Sequence, residues 1–326
     1  MNMNEPAQFI AEGLRGEMSF DVDMRRHTSW RAGGRAKRMY RAADLADLQL
    51  FMQQTPADEP LMAVGLGSNL LVRDGGFHGT VLLMHGALSE LRMDGEQVYA
   101  QAGVAGAKLA RFAATNNYCG AEFFVGIPGT LGGMLAMNAG CYGTETWEKV
   151  QRVQVLTRRG ELLERTPEAY EIGYRHVLRR EMGNVKREGE DLFHLSPFTF
   201  HQEEFFSAAW LGLEQGDVDA ARLEIKALME KRSATQPLHQ PNAGSVFRNP
   251  LGGHAAKLIE ECGLKGMRIG GAQVSEKHAN FIVNADEATA ADIENLIKEV
   301  RETVNSQTGI DLYPEVKIIG EYVNHE

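Results

Sequence analysis

Cysteine is scarce in this chain: three residues in 326, at positions 119, 141 and 262. An odd, widely spaced set builds no disulfide framework and no Cys-x-x-Cys metal knuckle, so a reducing cytoplasm is expected and no metal ligands are assigned. Long apolar runs are missing as well. No stretch approaches the ~20 consecutive apolar residues of a membrane-spanning helix. The opening segment, MNMNEPAQFIAEGLRGE, lacks the basic start and apolar centre of a secretory signal. Positive charge falls short of negative, 34 Lys and Arg against 44 Asp and Glu, for a net charge of −10. That balance argues against nucleic-acid binding by the bulk surface and still allows a local basic pocket for an anionic ligand. The expected partners are small molecules, with no membrane or nucleic acid, and the chain is expected to act as a monomer. No internal repeat is visible, and 326 residues are comfortable for two or three domains.

Glycine is plentiful and concentrated. Gly126 to Gly143 reads GIPGTLGGMLAMNAGCYG, with glycine at 126, 129, 132, 133, 140 and 143. Such a run lets a ligand touch backbone directly and can aim successive N–H groups into an anion-binding nest. The plainer alternative is a tight turn between two elements, which rarely needs this density. A second segment, LMAVGLGSNLLVRDGGFHG at 61–79, sets GLGSN between two apolar, strand-like runs. Gly65-x-Gly67 resembles the start of a dinucleotide fingerprint, but Leu70 stands where the third glycine belongs and no helix pattern follows. This argues against a nicotinamide-binding βαβ unit.

Along the chain, residues 5–20 read as a short amphipathic helix with Phe9, Ile10 and Leu14 on its apolar face. Asp44 caps a helix ending before Pro56, and Gly106 to Tyr118 gives another. Strands are expected at 61–64, 70–72, 79–84 and 98–102, and a hairpin at 153–163 turning on RRGE. The stretch 179–191 is dense in charge and reads as a solvated loop. A strand at 205–213, a helix capped by Asp217, a helix at 253–262, strands near 269–274 and 279–284, a long helix closed by Gly309 and a strand at 316–319 follow. This mixed order predicts an α+β fold.

The pair GLGSNLLV and GIPGTLGG…MNAGCYG resembles the FAD-binding domain of vanillyl-alcohol-oxidase (PCMH) type flavoproteins. With the later motifs GYR (173–175), NAGSVFRNP (242–250) and PEV (314–316), nearly the whole chain resembles the UDP-N-acetylenolpyruvoylglucosamine reductase family. The resemblance implies two α+β subdomains forming an FAD-binding domain over 28–205, then a smaller α+β substrate domain over 206–326. The last strand, about 314–320, would return to the active site. It further implies non-covalent FAD held by Gly65, Gly67, Ser68, Asn69 and Leu70, and by Gly126, Ile127, Pro128, Gly129, Thr130, Gly132, Gly133, Asn138, Ala139 and Gly140. NADPH as co-substrate would enter the same cleft, so no separate Rossmann motif is required.

On its residues alone Asn-Ala-Gly-Ser is a turn, and Ser245 either a cap or a proton donor. The resemblance implies the second: Ser245 as general acid, Arg175 polarising the substrate carboxylate, and Glu315 beside the developing enolate. It implies substrate contacts from Arg248 and Asn249, with Tyr142, Lys277 and His278 as further candidates, and brings Arg232 towards the FAD phosphates. Val177 departs from the family, which usually has serine there, so Arg175's support is an open question. The short span from Asn249 to Gly253 resembles the subtype without a substrate-covering tyrosine loop. Two other readings stay open: another flavin enzyme of the same fold group, such as an oxidase, and a non-catalytic flavin-binding protein.

Overall fold

The computed structural model describes residues 12–180 and 203–323. Strands β1 (Glu17–Asp23), β2 (Arg35–Arg41), β3 (Leu61–Val64) and β5 (Phe77–Leu83) form one sheet in the order β1-β2-β5-β3, with β5 parallel to both its neighbours. Strand β4 (Leu70–Val72) leaves this sheet to pair elsewhere. Helix α1 (Leu45–Gln54) starts where the Asp44 carboxylate accepts from the amide of Asp47, and buries Leu48, Phe51 and Met52. Phe51 stacks on Tyr40 of β2 at 4.2 Å between ring centres.

A second sheet of five antiparallel strands contains β6 (Leu91–Asp94), β7 (Gln97–Gln101), β8 (Val150–Thr157), β9 (Leu162–Arg165) and β12 (Glu204–Gly212), in the order β9-β8-β12-β7-β6. Between β9 and β12 lies a separate hairpin, β10 (Tyr170–Gly173) and β11 (His176–Arg179). Helices α2 (Gly106–Thr115), α3 (Leu131–Ala136) and α4 (Val218–Thr235) share the largest apolar core with this sheet through Leu109, Leu131, Val153 and Ile225.

The third unit packs α5 (Ala255–Glu261) and α6 (Ala290–Thr308) against a small sheet of β13 (Arg268–Ile269), β14 (Ala272–Val274) and β15 (Ile282–Asn284). Helix α6 begins in a capping box of Thr289 and Asp292 and ends on Gly309 at φ +74°. The final strand, β16 (Lys317–Ile319), crosses back to pair in parallel with β4.

Most expected elements are present, and four readings need correction. Residues 17–20 are strand rather than helix, because Met18 and Phe20 pair with Tyr40 and Arg38 on β2; the rest of that expected helix up to residue 11 lies outside the described residues. The second glycine run contains a helix, α3, where only turns were expected. The β10–β11 hairpin was not expected at all. A division at 205 falls inside β12, the middle strand of its sheet, and α4 packs on α2, so residues 204–235 go with the first part of the chain. The charged loop read at 179–191 lies outside the described residues from 181 onward.

Candidate active site

Two glycine turns form the floor of a cleft. After β3 the chain turns back through Gly65–Asn69 into β4. A Cβ on Gly65 would strike Thr130 Oγ1, and one on Gly67, at φ +61°, would strike the carbonyl of His27. Glycine here lets the turn press against the second glycine run on one side and the 27–34 segment on the other. Opposite, a Cβ on Gly129 would lie 3.5 Å from Ser68 Oγ, so the two runs face each other.

Gly133 carries more information. It lies exposed on the cleft side of α3, and a Cβ there would meet nothing within 4 Å. Alanine in place of a helical glycine gains about 0.5–1 kcal/mol, so a bare backbone with room for a side chain reserves that space for a ligand. The cleft measures about 1510 Å³ counted to its open mouth. Its walls are apolar at Met84, Met134, Met137, Phe205 and Phe206. A side-chain-free floor and a thioether and phenyl wall fit a dinucleotide with a flat ring system, as FAD is. The nest reading is narrower than expected, however. The amides of Gly129, Leu131 and Gly132 are already bonded to the carbonyls of Ile127, Val104 and Ala102.

The three candidate catalytic residues converge on this cleft. Arg175 projects from the β10–β11 turn with φ +55°, and its Nε stands 2.7 Å from Glu315 Oε1. The buried Nε–H has no well-aligned acceptor, so the contact is ionic. Glu315 is 8% exposed. Burial pushes its carboxyl above the usual range, and Arg175, Arg248 and Lys317 pull the other way. Ser245 lines the cleft beside Gly244, whose φ of +78° makes the turn. The segment is gripped by Asn280, which accepts from the amide of Phe247 at 2.9 Å and donates to its carbonyl at 2.8 Å.

The cofactor candidates all line the cleft except Asn138, whose buried side chain is turned into the protein. The substrate candidates divide. Arg248 Nη2 donates to the carbonyl of Arg175 at 3.1 Å, whereas Asn249 caps α5 by accepting from Ala255 N at 3.1 Å. Tyr142 Oη donates to the carbonyl of Leu228, and Lys277 Nζ to that of Ser233. His278 packs on Phe281, a cleft residue, with a buried Nδ1 that has no partner and a pKa lowered by burial. Arg232 is half-buried and reaches the carbonyl of Val125 at 3.3 Å and Gln236 Oε1 at 3.1 Å. Val177 is 7% exposed and packs in the main core, which is why an apolar residue serves there.

Lys317 was missed. It lines the cleft two residues after Glu315, and burial, reinforced by Arg248 and opposed by Glu315, lowers its pKa to about 8. Strand alternation in PEVKIIG puts 315 and 317 on one face, a signal that was available in the sequence. With Arg175 and Arg248 it surrounds one carboxylate with three cations, an arrangement suited to an anionic ligand. Among the described residues, no group of three or more His, Cys, Asp or Glu is placed to hold a metal ion.

Comparison with known proteins agrees with this geometry. Residues 36–166 match the model of an FAD binding domain, and residues 236–319 that of the UDP-N-acetylenolpyruvoylglucosamine reductase C-terminal domain. The reductase of that name from Thiobacillus denitrificans is 51% identical, the match covering 98% of each chain. Its counterpart from Nitrosospira multiformis is 53% identical over 94% of this chain and 90% of its own. The crystal structure of UDP-N-acetylenolpyruvylglucosamine reductase from Thermus caldophilus superimposes with a TM-score of 0.72 at 27% identity, covering 94% of this chain and 99% of that one.

Proposed function

This chain belongs to the UDP-N-acetylenolpyruvoylglucosamine reductase family, and from that membership we infer that it reduces the enolpyruvyl group of UDP-N-acetylglucosamine enolpyruvate to UDP-N-acetylmuramate. NADPH is the reductant, the product feeds peptidoglycan synthesis and so cell shape and division, and the setting is the cytoplasm, with the chain acting as a monomer. FAD, which Gly65–Leu70 and Gly126–Gly133 would hold, would supply the hydride chemistry that links NADPH to the enol ether. The observation that carries the reading is the convergence of Ser245, Arg175 and Glu315 on the glycine-floored cleft.

The chain's own residues do three things. Gly65–Leu70 and Gly126–Gly133 give the cofactor a close-fitting floor. Arg175, with Lys317 and Arg248 behind it, stabilises the negative charge that spreads into the substrate carboxylate. Glu315 holds the Arg175 guanidinium at the cleft through its ionic contact, and Arg175, Arg248 and Lys317 offset its charge beside the developing enolate. Ser245 donates the proton to the carbon next to the carboxylate. Arg248, bonded to the Arg175 carbonyl, is the substrate contact best supported; Tyr142, Lys277 and His278 are further candidates that do not line the cleft, and Asn249 acts through the end of α5.

The test is direct. Purified protein should be yellow and should oxidise NADPH only when the enolpyruvyl UDP-sugar is added. Hydrogen peroxide from NADPH and oxygen at the same rate without the sugar would identify an oxidase. Bound flavin with no turnover under either condition would identify a binding protein.

A further inference from the structure

Asn138 has its side chain turned away from the cleft. It is 1% exposed, its φ is +40°, and its hydrogen bonds are made inside the protein. Oδ1 accepts from Trp147 N at 3.1 Å, and Nδ2 donates to Glu145 Oε2 at 2.6 Å and to the carbonyl of Gly173 at 3.2 Å. The bond to Gly173 spans 35 positions and ends at the turn of the β10–β11 hairpin.

That turn carries Arg175, two residues further on. A two-stranded hairpin is marginal by itself, and an arginine at φ +55° keeps that conformation only when its surroundings over-determine it. Two side chains supply the constraint. Arg248 donates to the carbonyl of Arg175 on one side, and Asn138 donates to the carbonyl of Gly173 on the other. Asn138 also lies between Met137 and Ala139, both of which line the cleft. The wall of the cofactor floor and the stance of Arg175 are thus joined through one amide.

We propose that Asn138 is a positioning residue for Arg175, acting through the Gly173 carbonyl, and that its side chain is not a cofactor ligand. This rests on the reductase reading above. It explains how Arg175 is supported although Val177 stands where the family usually has serine. It also makes the geometry of the substrate end depend on the chain segment that floors the cofactor end.

Three variants test it. Asn138→Asp keeps the acceptor for Trp147 N but sets a carboxylate oxygen against Glu145 and the Gly173 carbonyl. Asn138→Asp with Glu145→Gln restores the 138–145 hydrogen bond in the reverse direction and leaves Gly173 without its donor. Asn138→Gly keeps the positive φ and removes the side chain, and takes over wherever an aspartate variant fails to fold. In each, flavin content and flavin reduction by NADPH should stay within about 2-fold of wild type. Flavin reoxidation by substrate should fall about 10–100-fold, the scale of an ångström-sized misplacement. Amides of residues 170–180 should exchange hydrogen faster, a readout that needs no turnover. Recovery of reoxidation in the double variant, equal slowing of both half-reactions, or loss of flavin with unchanged hairpin exchange would overturn the proposal. Wild-type protein that leaves the substrate unreduced would overturn the reductase reading instead, and the exchange measurement would still decide the role of Asn138.

Discussion

Ser245 is fixed by its neighbours more than by bonds of its own. Gly244 makes the turn, the amide of Val246 donates to the carbonyl of Asn280 at 2.9 Å, and Phe247 is held from both sides by the same asparagine. A hydroxyl on such a rigid mount suits proton donation to one carbon. Ser245→Ala should therefore keep flavin reduction by NADPH and lose turnover with substrate by about 10²–10⁴-fold, with Ser245→Cys recovering part of it. Single-turnover reoxidation of pre-reduced enzyme measures this, and an alanine variant that reoxidises at the wild-type rate would pass the acid role to Glu315. Lys317 gives the pH dependence. Its pKa of about 8 is depressed, so the charged form is complete below that pH and is lost as pH rises through it. The cleft then loses one positive charge facing the substrate carboxylate, and KM for the substrate should rise above about pH 8. Lys317→Arg, charged throughout, should flatten the rise, which a KM–pH series would show.

At the scale of elements, what could be read in the sequence depended on what each element needed from its side chains. The GLGSN turn was legible because Gly65 and Gly67 stand where any Cβ collides, so composition alone marks the place. Helix α6 was legible because its apolar stripe, capping box and terminal glycine agree. Helix α3 was not, since Gly132 and Gly133 oppose helix propensity. A Cβ on Gly132 would lie 3.0 Å from that of Ala102, so close packing against the turn that follows β7 selects the glycine. Hairpin β10–β11 was illegible for a different reason. Its strands have four residues each and the turn is held by Asn138 and Arg248, which lie far away in sequence. Gly133 yields a prediction of opposite signs. Gly133→Ala should stabilise the flavin-free protein by up to about 0.5–1 kcal/mol while weakening FAD binding, because the new methyl occupies the reserved space. Gly129→Val, pointing at Ser68, should purify with little flavin. Melting curves without flavin and titration with FAD separate the two effects, and a Gly133→Ala variant binding FAD as tightly as wild type would remove the cofactor from that position.

At the scale of the whole molecule the ends of the chain are sewn together, through more contacts than the returning last strand that the resemblance implied. Trp30, near the start, is fully buried in the core of the third unit and donates from Nε1 to the carbonyl of Ile282 at 2.7 Å. Arg73 pairs with Glu294 at 2.9 Å, Asp74 accepts from the amides that begin α6, and β16 runs beside β4. Asn69 closes the seam by donating from Nδ2 to the carbonyl of Glu315 at 3.2 Å. The Gly65–Asn69 loop and Glu315 thus lie at the starts of adjacent, paired strands, so the cofactor unit and the unit containing Trp30 should unfold together. The tryptophans allow a clean test. Trp147 and Trp210 lie in the first two-thirds of the molecule, and replacing both by Phe leaves Trp30 as the only reporter. Its emission and the far-UV circular dichroism should then give coincident thermal midpoints, the signature of a single cooperative transition. FAD at 100 times its Kd should raise the Trp30 midpoint by the equivalent of about 2.7 kcal/mol, although Trp30 lies outside the cleft. A Trp30 transition that separates from the rest and ignores FAD would mean that the seam is too weak to make one folding unit of the two.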